Sequence, residues 1–263
     1  MGKIVAIANQ KGGTGKTSTC INLGAALVLD GQNVLLVDVD AQANTTSGLG
    51  VTIPEGNCSI YDVLLGKVDA GEAILPTSID WLEIIPSTVD LVGAEVELVN
   101  AFSRELRLAK ALKSMRDLYD FILVDCPPSM GLLTVNALGA ADSILIPVQC
   151  EYYALEGLGQ LLKTIDMIKD SVNPALEIEG VLLTMHDARI NLSSQVIGEV
   201  RKFFSDNVYD TVIPRNVRIS EAPGFGKPVV TYDTSSRGAR AYMALALEFL
   251  RQNNVQLKTV RQK

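Results

Sequence analysis

Between Lys11 and Ser18 the chain reads Lys-Gly-Gly-Thr-Gly-Lys-Thr-Ser, and few folds can use such a segment. It follows an apolar, β-branched run, Lys3–Ala8, and opens an amphipathic stretch, Lys16–Leu29, so it reads as the turn from a strand into a helix. Glycine has no Cβ to block the approach of an anion and tolerates φ > 0, so backbone N–H groups can curl around phosphate oxygens. The helix adds its unsatisfied N–H groups and the positive end of its dipole. Gly12, Gly13, Thr14, Gly15 and Ser18 are thus candidate phosphate cradle residues. Lys16 is placed to reach β- and γ-phosphates, and the Thr17 hydroxyl to ligate Mg²⁺. The usual form of this loop has glycine where this chain has Gln10, and an extra lysine, Lys11, stands beside it. A second lysine has no room on the same side of the same phosphates. Lys11 is therefore expected to reach outward, to a phosphate held by a second subunit.

The rest of the chain alternates short apolar runs with longer amphipathic ones. Strands are expected at Lys3–Ala8, Asn33–Asp38, Trp81–Pro86, Asp120–Asp125, Ser143–Val148, Glu177–Thr184 and Tyr209–Ile213. Helices are expected at Lys16–Leu29, Ser59–Leu65, Arg104–Arg116, Leu132–Ala140, Leu155–Lys169, Leu192–Phe204 and Arg237–Gln252. Runs such as Phe121-Ile122-Leu123-Val124 are apolar at every position, the mark of a strand buried on both faces of a parallel sheet. The pattern predicts an α/β, doubly wound, mostly parallel sheet flanked by helices. With 263 residues and no linker or repeat, one domain over 1–252 is expected, followed by a basic, flexible tail at 253–263.

Two acidic segments complement the loop: Val37-Asp38-Val39-Asp40-Ala41-Gln42 and Val124-Asp125-Cys126-Pro127-Pro128. A carboxylate ending an apolar strand faces the crevice where ligands bind in such sheets. Asp125 reads as the Walker-B acid, holding Mg²⁺ through its water shell. Asp40 sits in a flexible polar stretch able to respond to a γ-phosphate and is the better candidate to orient an attacking water, while Asp38 suits either part.

Other chemistries find little support. The four cysteines, Cys20, Cys58, Cys126 and Cys150, include no C-x-x-C pair, and His186 is the only histidine. No apolar run approaches a bilayer span and no cleavable signal pattern is seen, so a cytoplasmic protein is expected. Net charge is −7, yet it is uneven: residues 1–184 hold 11 basic and 23 acidic side chains, residues 185–243 hold 8 and 6. An acidic chain can still carry a local basic face.

The loop, the Asp38-Val-Asp40-Ala-Gln segment, Val124-Asp125-Cys-Pro-Pro and Ile213-Pro-Arg-Asn-Val-Arg-Ile-Ser-Glu-Ala-Pro223 together resemble the ParA/Soj family of chromosome- and plasmid-partitioning ATPases, related to MinD, over about residues 1–252. The resemblance implies ATP and Mg²⁺ as cofactors, an ATP-dependent homodimer, and slow hydrolysis raised by a ParB-type centromere-binding protein. By the same resemblance Lys11 acts across the dimer, Lys16 and Asp40 serve hydrolysis, Glu151 touches nucleotide across the interface, and Pro214 and Asn216 frame the adenine. It further implies non-specific double-stranded DNA as a partner, contacted by Arg189 and Arg218, and a nucleoid-associated place in the cytoplasm, with no membrane involved. A MinD-like ATPase acting on a membrane or protein matrix is the alternative. An amphipathic membrane helix would want bulky apolar residues, and the segment after Asn253 has only Val255, Leu257 and Val260. The chain departs from many relatives at Ala41, where they carry proline.

Overall fold

The computed structural model describes residues 1–151 and 154–255. In chain order the elements are β1 (Lys3–Ile7), α1 (Lys16–Leu29), β2 (Val34–Asp38), α2 (Asn44–Gly48), α3 (Ile60–Leu65), β3 (Leu75–Pro76), β4 (Leu82–Ile85), α4 (Leu91–Glu97), α5 (Arg107–Leu112), β5 (Phe121–Asp125), α6 (Leu132–Ala140), β6 (Ser143–Gln149), α7 (Ala154–Ser171), β7 (Glu177–Thr184), α8 (Asn191–Phe204), α9 (Val217–Glu221), α10 (Val229–Tyr232) and α11 (Arg237–Gln252). The strands form one sheet in the order β3-β4-β2-β5-β1-β6-β7. All pairs are parallel except β3 with β4 at one edge. This is the doubly wound α/β architecture that the sequence predicts.

Side chains along a strand alternate between faces, and here both faces are apolar. Ile4, Ala6, Leu35, Val37, Ile122 and Val124 pack into one layer with α3 to α8. Val5, Ile7, Val34, Leu36, Phe121 and Leu123 pack into the other with α1, α10 and α11. In the second layer the Phe121 and Phe249 rings meet edge to face at 5.1 Å.

Three segments depart from expectation, each for a local reason. Tyr209–Ile213 is not a strand. Tyr209 and Ile213 donate to β7 at Val181 and Leu183, but the amides of Asp210 and Thr211 turn to the Glu248 carboxylate at 2.6 and 2.9 Å. Arg104–Arg116 is not one helix but α5 between turns of 3₁₀ helix. There the Asn136 side chain takes the Arg104 carbonyl (2.7 Å) and the Leu108 N–H (3.1 Å), the two groups an unbroken helix would have joined to each other. Residues 253–255 of the expected tail are tied to the domain. Asn253 bonds Lys3 and Glu179 at 2.6 Å each, and Val255 packs against the second layer. Residues 256–263 of that tail lie outside the described residues.

Candidate functional site

Parallel register sets the site. Ile7 of β1 pairs with Asp125 of β5, and Asp125 pairs with Asp38 of β2, so the two carboxylates stand side by side at the carboxyl ends of neighbouring strands. The Lys11–Ser18 loop leaves β1 directly beside them and runs into α1. Gly13 and Gly15 hold φ of 72° and 93°, left-handed values that favour glycine. Neighbouring strand ends hold the loop in place. Gln149 donates to the Gly13 carbonyl (2.5 Å), Thr184 to that of Thr14 (2.8 Å), and the Lys11 amide donates to Asn9 (3.0 Å).

The two loop lysines face different surroundings. Lys16 is buried, and its ammonium donates to the Lys11 carbonyl at 3.3 Å. Burial lowers its pKa, and the Asp125 charge opposes that shift. Lys11 lies partly exposed, with its ammonium 3.7 Å from Glu151. Arg215 approaches the other Glu151 oxygen at 3.5 Å.

On the inner wall, Asp125 Oδ2 accepts hydrogen bonds from Thr17 (2.8 Å) and Thr45 (2.7 Å), while buried Oδ1 has no partner. Asp38 Oδ2 accepts from the Thr46 amide (2.9 Å) and hydroxyl (2.7 Å), and Oδ1 from the Asp40 amide (3.2 Å). Burial pushes both carboxyls above the usual carboxylate range, and the nearby Asp38 charge raises Asp125 further. Asp40 is nearly buried and caps its own turn, accepting from the Gln42 amide at 2.9 Å. The polar stretch after it is not a loose loop but the short helix α2, whose Thr45 and Thr46 are buried.

Beside the loop lies a cleft of about 400 Å³ lined by Gly15, Ser18, Thr184, Pro214, Asn216 and Tyr242 among others. The expected base-framing pair, Pro214 and Asn216, therefore borders the same space as the phosphate loop. Asn216 also caps α9, accepting from the Arg218 amide at 2.9 Å. A larger cleft of about 560 Å³, lined by Asn33, Trp81 and Tyr119, sits at the amino ends of the strands and holds none of the candidate residues. Arg189 and Arg218 lie outside the loop, each held by acids of its own chain. Arg189 pairs with Asp187 at 2.6 Å, and Arg218 pairs with Glu221 at 2.8 Å and Asp233 at 3.1 Å.

Sequence reasoning missed Thr45, Thr46, Gln149, Thr184 and Arg215. The first two were legible in part, as hydroxyls in the polar run after Asp40. Gln149 and Thr184 act through strand ends that carry no motif, and Arg215 lies within the Ile213–Pro223 segment, where only Pro214, Asn216 and Arg218 were given roles.

A mostly parallel sheet with a glycine-rich loop after an interior strand, a buried lysine in that loop and paired acids on the next two strands defines a P-loop nucleoside triphosphatase. Its loop bears a second, outward lysine. The chain belongs to the ParA/Soj family of partitioning ATPases. A family model described as an AAA domain matches residues 2–178. The chain is 58% identical to the sporulation initiation inhibitor protein Soj of Bacillus subtilis, over 94% of this chain and 98% of that one. It is 52% identical to the chromosome partitioning protein ParA of Myxococcus xanthus, over 96% and 89%. Among solved structures it resembles cobyrinic acid a,c-diamide synthase from Mycobacterium smegmatis with bound ATP analog and magnesium, at 35% identity and a TM-score of 0.85 over the whole of both chains.

Proposed function

We propose that this chain is a DNA-segregation ATPase that dimerises around ATP, binds DNA without sequence preference as a dimer, and lets go on hydrolysis. The observation that carries the reading is the division of labour between the two loop lysines. Lys16 is folded into its own loop, whereas Lys11 is held at the rim only by a loose, exposed pair with Glu151. Such a pair contributes roughly 0–1 kcal/mol, so Lys11 can exchange Glu151 for a phosphate of a second subunit. A cation supplied in trans stabilises charge on a transferring phosphoryl group.

The inner wall suits a hydrated Mg²⁺. Thr17 and Asp125 meet at 2.8 Å and Asp125 Oδ1 is left without a partner. Among the described residues no His, Cys, Asp and Glu cluster would hold a metal by itself, which fits an ion taking its other ligands from phosphate and water. Bound there, Mg²⁺ would neutralise charge on the β- and γ-phosphate oxygens. Asp38 has its oxygens engaged by Thr46 and Asp40 and serves to position that wall. Gly12, Gly13, Thr14, Gly15 and Ser18 cradle the phosphates, Pro214 and Asn216 border the base, and Glu151 meets nucleotide across the interface. Asp40 orients the water that attacks the γ-phosphorus and takes up its proton, as the bond to the β-phosphate breaks.

DNA contact falls to Arg189 and Arg218. A few phosphate contacts per subunit bind weakly, and pairing two such faces in a dimer multiplies the affinity. A ParB-type partner would then stimulate turnover, and nucleoid association would follow from DNA binding. No helix among the described residues is long and apolar enough to cross a membrane.

The test is DNA binding with ATP, with ADP and without nucleotide, at low and moderate salt, for the wild type and Asp40→Ala. The expected result is binding that needs ATP, persists in Asp40→Ala and weakens steeply with salt. If ATP-driven dimers form but ignore DNA at low salt, the matrix is a membrane or protein surface instead.

A further inference from the structure

Helix α4 is apolar on two faces, and only one of them is covered. Leu91, Ala94 and, just beyond it, Leu98 are buried in the first core layer. On the opposite side Val89, Val92, Val96 and Val99 follow one another at helical spacing and all stand exposed, Val89 at 76% and Val96 at 74%. Phe102, a few residues on, is 94% exposed. Single exposed apolar residues need no explanation, but four valines at successive helical positions mark a contact surface.

The charge around the stripe says what kind of contact. From residue 68 to residue 103 the chain holds no lysine or arginine, while it holds Asp69, Glu72, Asp80, Glu83, Asp90, Glu95 and Glu97. Arg104, the next cation, donates to the Val99 carbonyl at 2.7 Å and has its charge paired with Glu105 at 2.8 Å. Asp90, Glu95 and Glu97 belong to the stripe's own turns. The nearest preceding cation, Lys67, is occupied over the Tyr61 ring at 4.3 Å, and Tyr61 itself donates to Glu97 at 2.7 Å. An apolar stripe in an acidic field repels nucleic acid and anionic lipid and attracts a cation-bearing amphipathic segment.

The stripe is also rooted in the site. Two residues before Val89, the Ser87 amide donates to the Thr46 hydroxyl at 3.0 Å, and that hydroxyl donates to Asp38 at 2.7 Å. The segment that leads into α4 is thus joined to Asp38 by two hydrogen bonds in series.

We infer that the Val89–Val92–Val96–Val99 stripe is the docking surface for a basic, amphipathic helical segment of a partner protein. The surface deepens the functional reading above, since it supplies the class of partner that would act on this nucleotide site.

The experiment uses the full chain and two synthetic peptides of equal length. One is a helix with leucines on one face and lysines and arginines on the other, and its twin carries glutamates in place of the cations. Binding is read by fluorescence anisotropy, with ATP binding and ATP-dependent dimerisation measured in parallel. The cationic peptide is expected to bind, the acidic twin not to. Val92→Ser/Val96→Ser should weaken the cationic peptide by about tenfold or more, as for a central apolar anchor, and Asp90→Lys should weaken it less while flattening its salt dependence. These positions are solvent-facing, so unchanged ATP binding and circular dichroism should accompany the loss. Equal binding of the two peptides, or binding indifferent to the double substitution, overturns the inference. So does loss of the ATP-dependent dimer in the double variant with peptide binding intact, which would make the stripe a contact between copies. Failure of the functional reading is separate: it appears as absent ATP binding or absent DNA binding, whatever the peptides do.

Discussion

The inner wall of the site and its rim are built by opposite means. Behind the loop, Asp38 and Asp125 are fully buried, fixed by four hydrogen bonds at 2.7–2.9 Å from Thr17, Thr45 and Thr46. At the rim, Lys11, Glu151, Arg215, Arg189 and Arg218 form exposed ion pairs within one chain. A buried network is costly to disturb and holds one geometry. Exposed pairs contribute little and are readily exchanged. The wall is therefore complete in a single subunit, while the rim is a set of charges that a second phosphate-bearing surface can claim.

The sharpest way to break that contrast is to remove one lysine from each side. Lys16→Ala should lower affinity for a fluorescent ATP analogue about 100-fold, the equivalent of two charged hydrogen bonds at ~1.5 kcal/mol each. Lys11→Ala should leave monomer affinity within about threefold and abolish the ATP-dependent dimer in sedimentation. Equal losses of nucleotide binding from both substitutions would mean that Lys11 belongs to the wall.

Much of the wall was legible in the sequence because its parts are local. The loop from Lys11 to Ser18 is one turn between a strand and a helix, and Asp125 ends a strand whose four preceding residues are all apolar. What could not be read depends on contacts between distant segments. Nothing in Arg104–Arg116 reveals that Asn136 will take the Arg104 carbonyl and Leu108 amide and break the helix. Nothing in Tyr209–Ile213 reveals that Glu248 will draw two amides away from β7. Thr45 and Thr46 have weak helix propensity, and it is their bonds to carboxylates on β5 and β2 that tie α2 into the site.

A middling effect should appear in the pH dependence of stability without nucleotide. Burial raises both Asp38 and Asp125 from their ordinary value of 3.8. Between that value and neutrality the folded chain keeps protons that the unfolded chain has released. The stabilising contribution of this pair is thus full at low pH and lost as pH rises. Between about pH 5 and pH 8 the melting temperature should fall for this reason, at about 2–4 °C per kcal/mol in a chain of this size. Asp125→Asn, which cannot titrate, should shrink the difference between the two pH values. A wild-type melting temperature that rises over this range would show that the wall is not strained by its own charge.

The smallest effect belongs to the rim. Each phosphate contact made by a cation adds roughly 0.9 to the slope of log affinity against log salt. Arg189→Ala and Arg218→Ala should each lower that slope by about one per contact, uniformly across DNA sequences. Lys67→Ala, a cation held over Tyr61 beside the acidic stripe, should leave it unchanged. The pairs themselves give the converse: Arg218 has to leave Glu221 and Asp233 to reach a phosphate. Glu221→Gln should therefore strengthen ATP-dependent DNA binding modestly. If it weakens that binding instead, Glu221 holds Arg218 in its working position, and the rim is as preorganised as the wall.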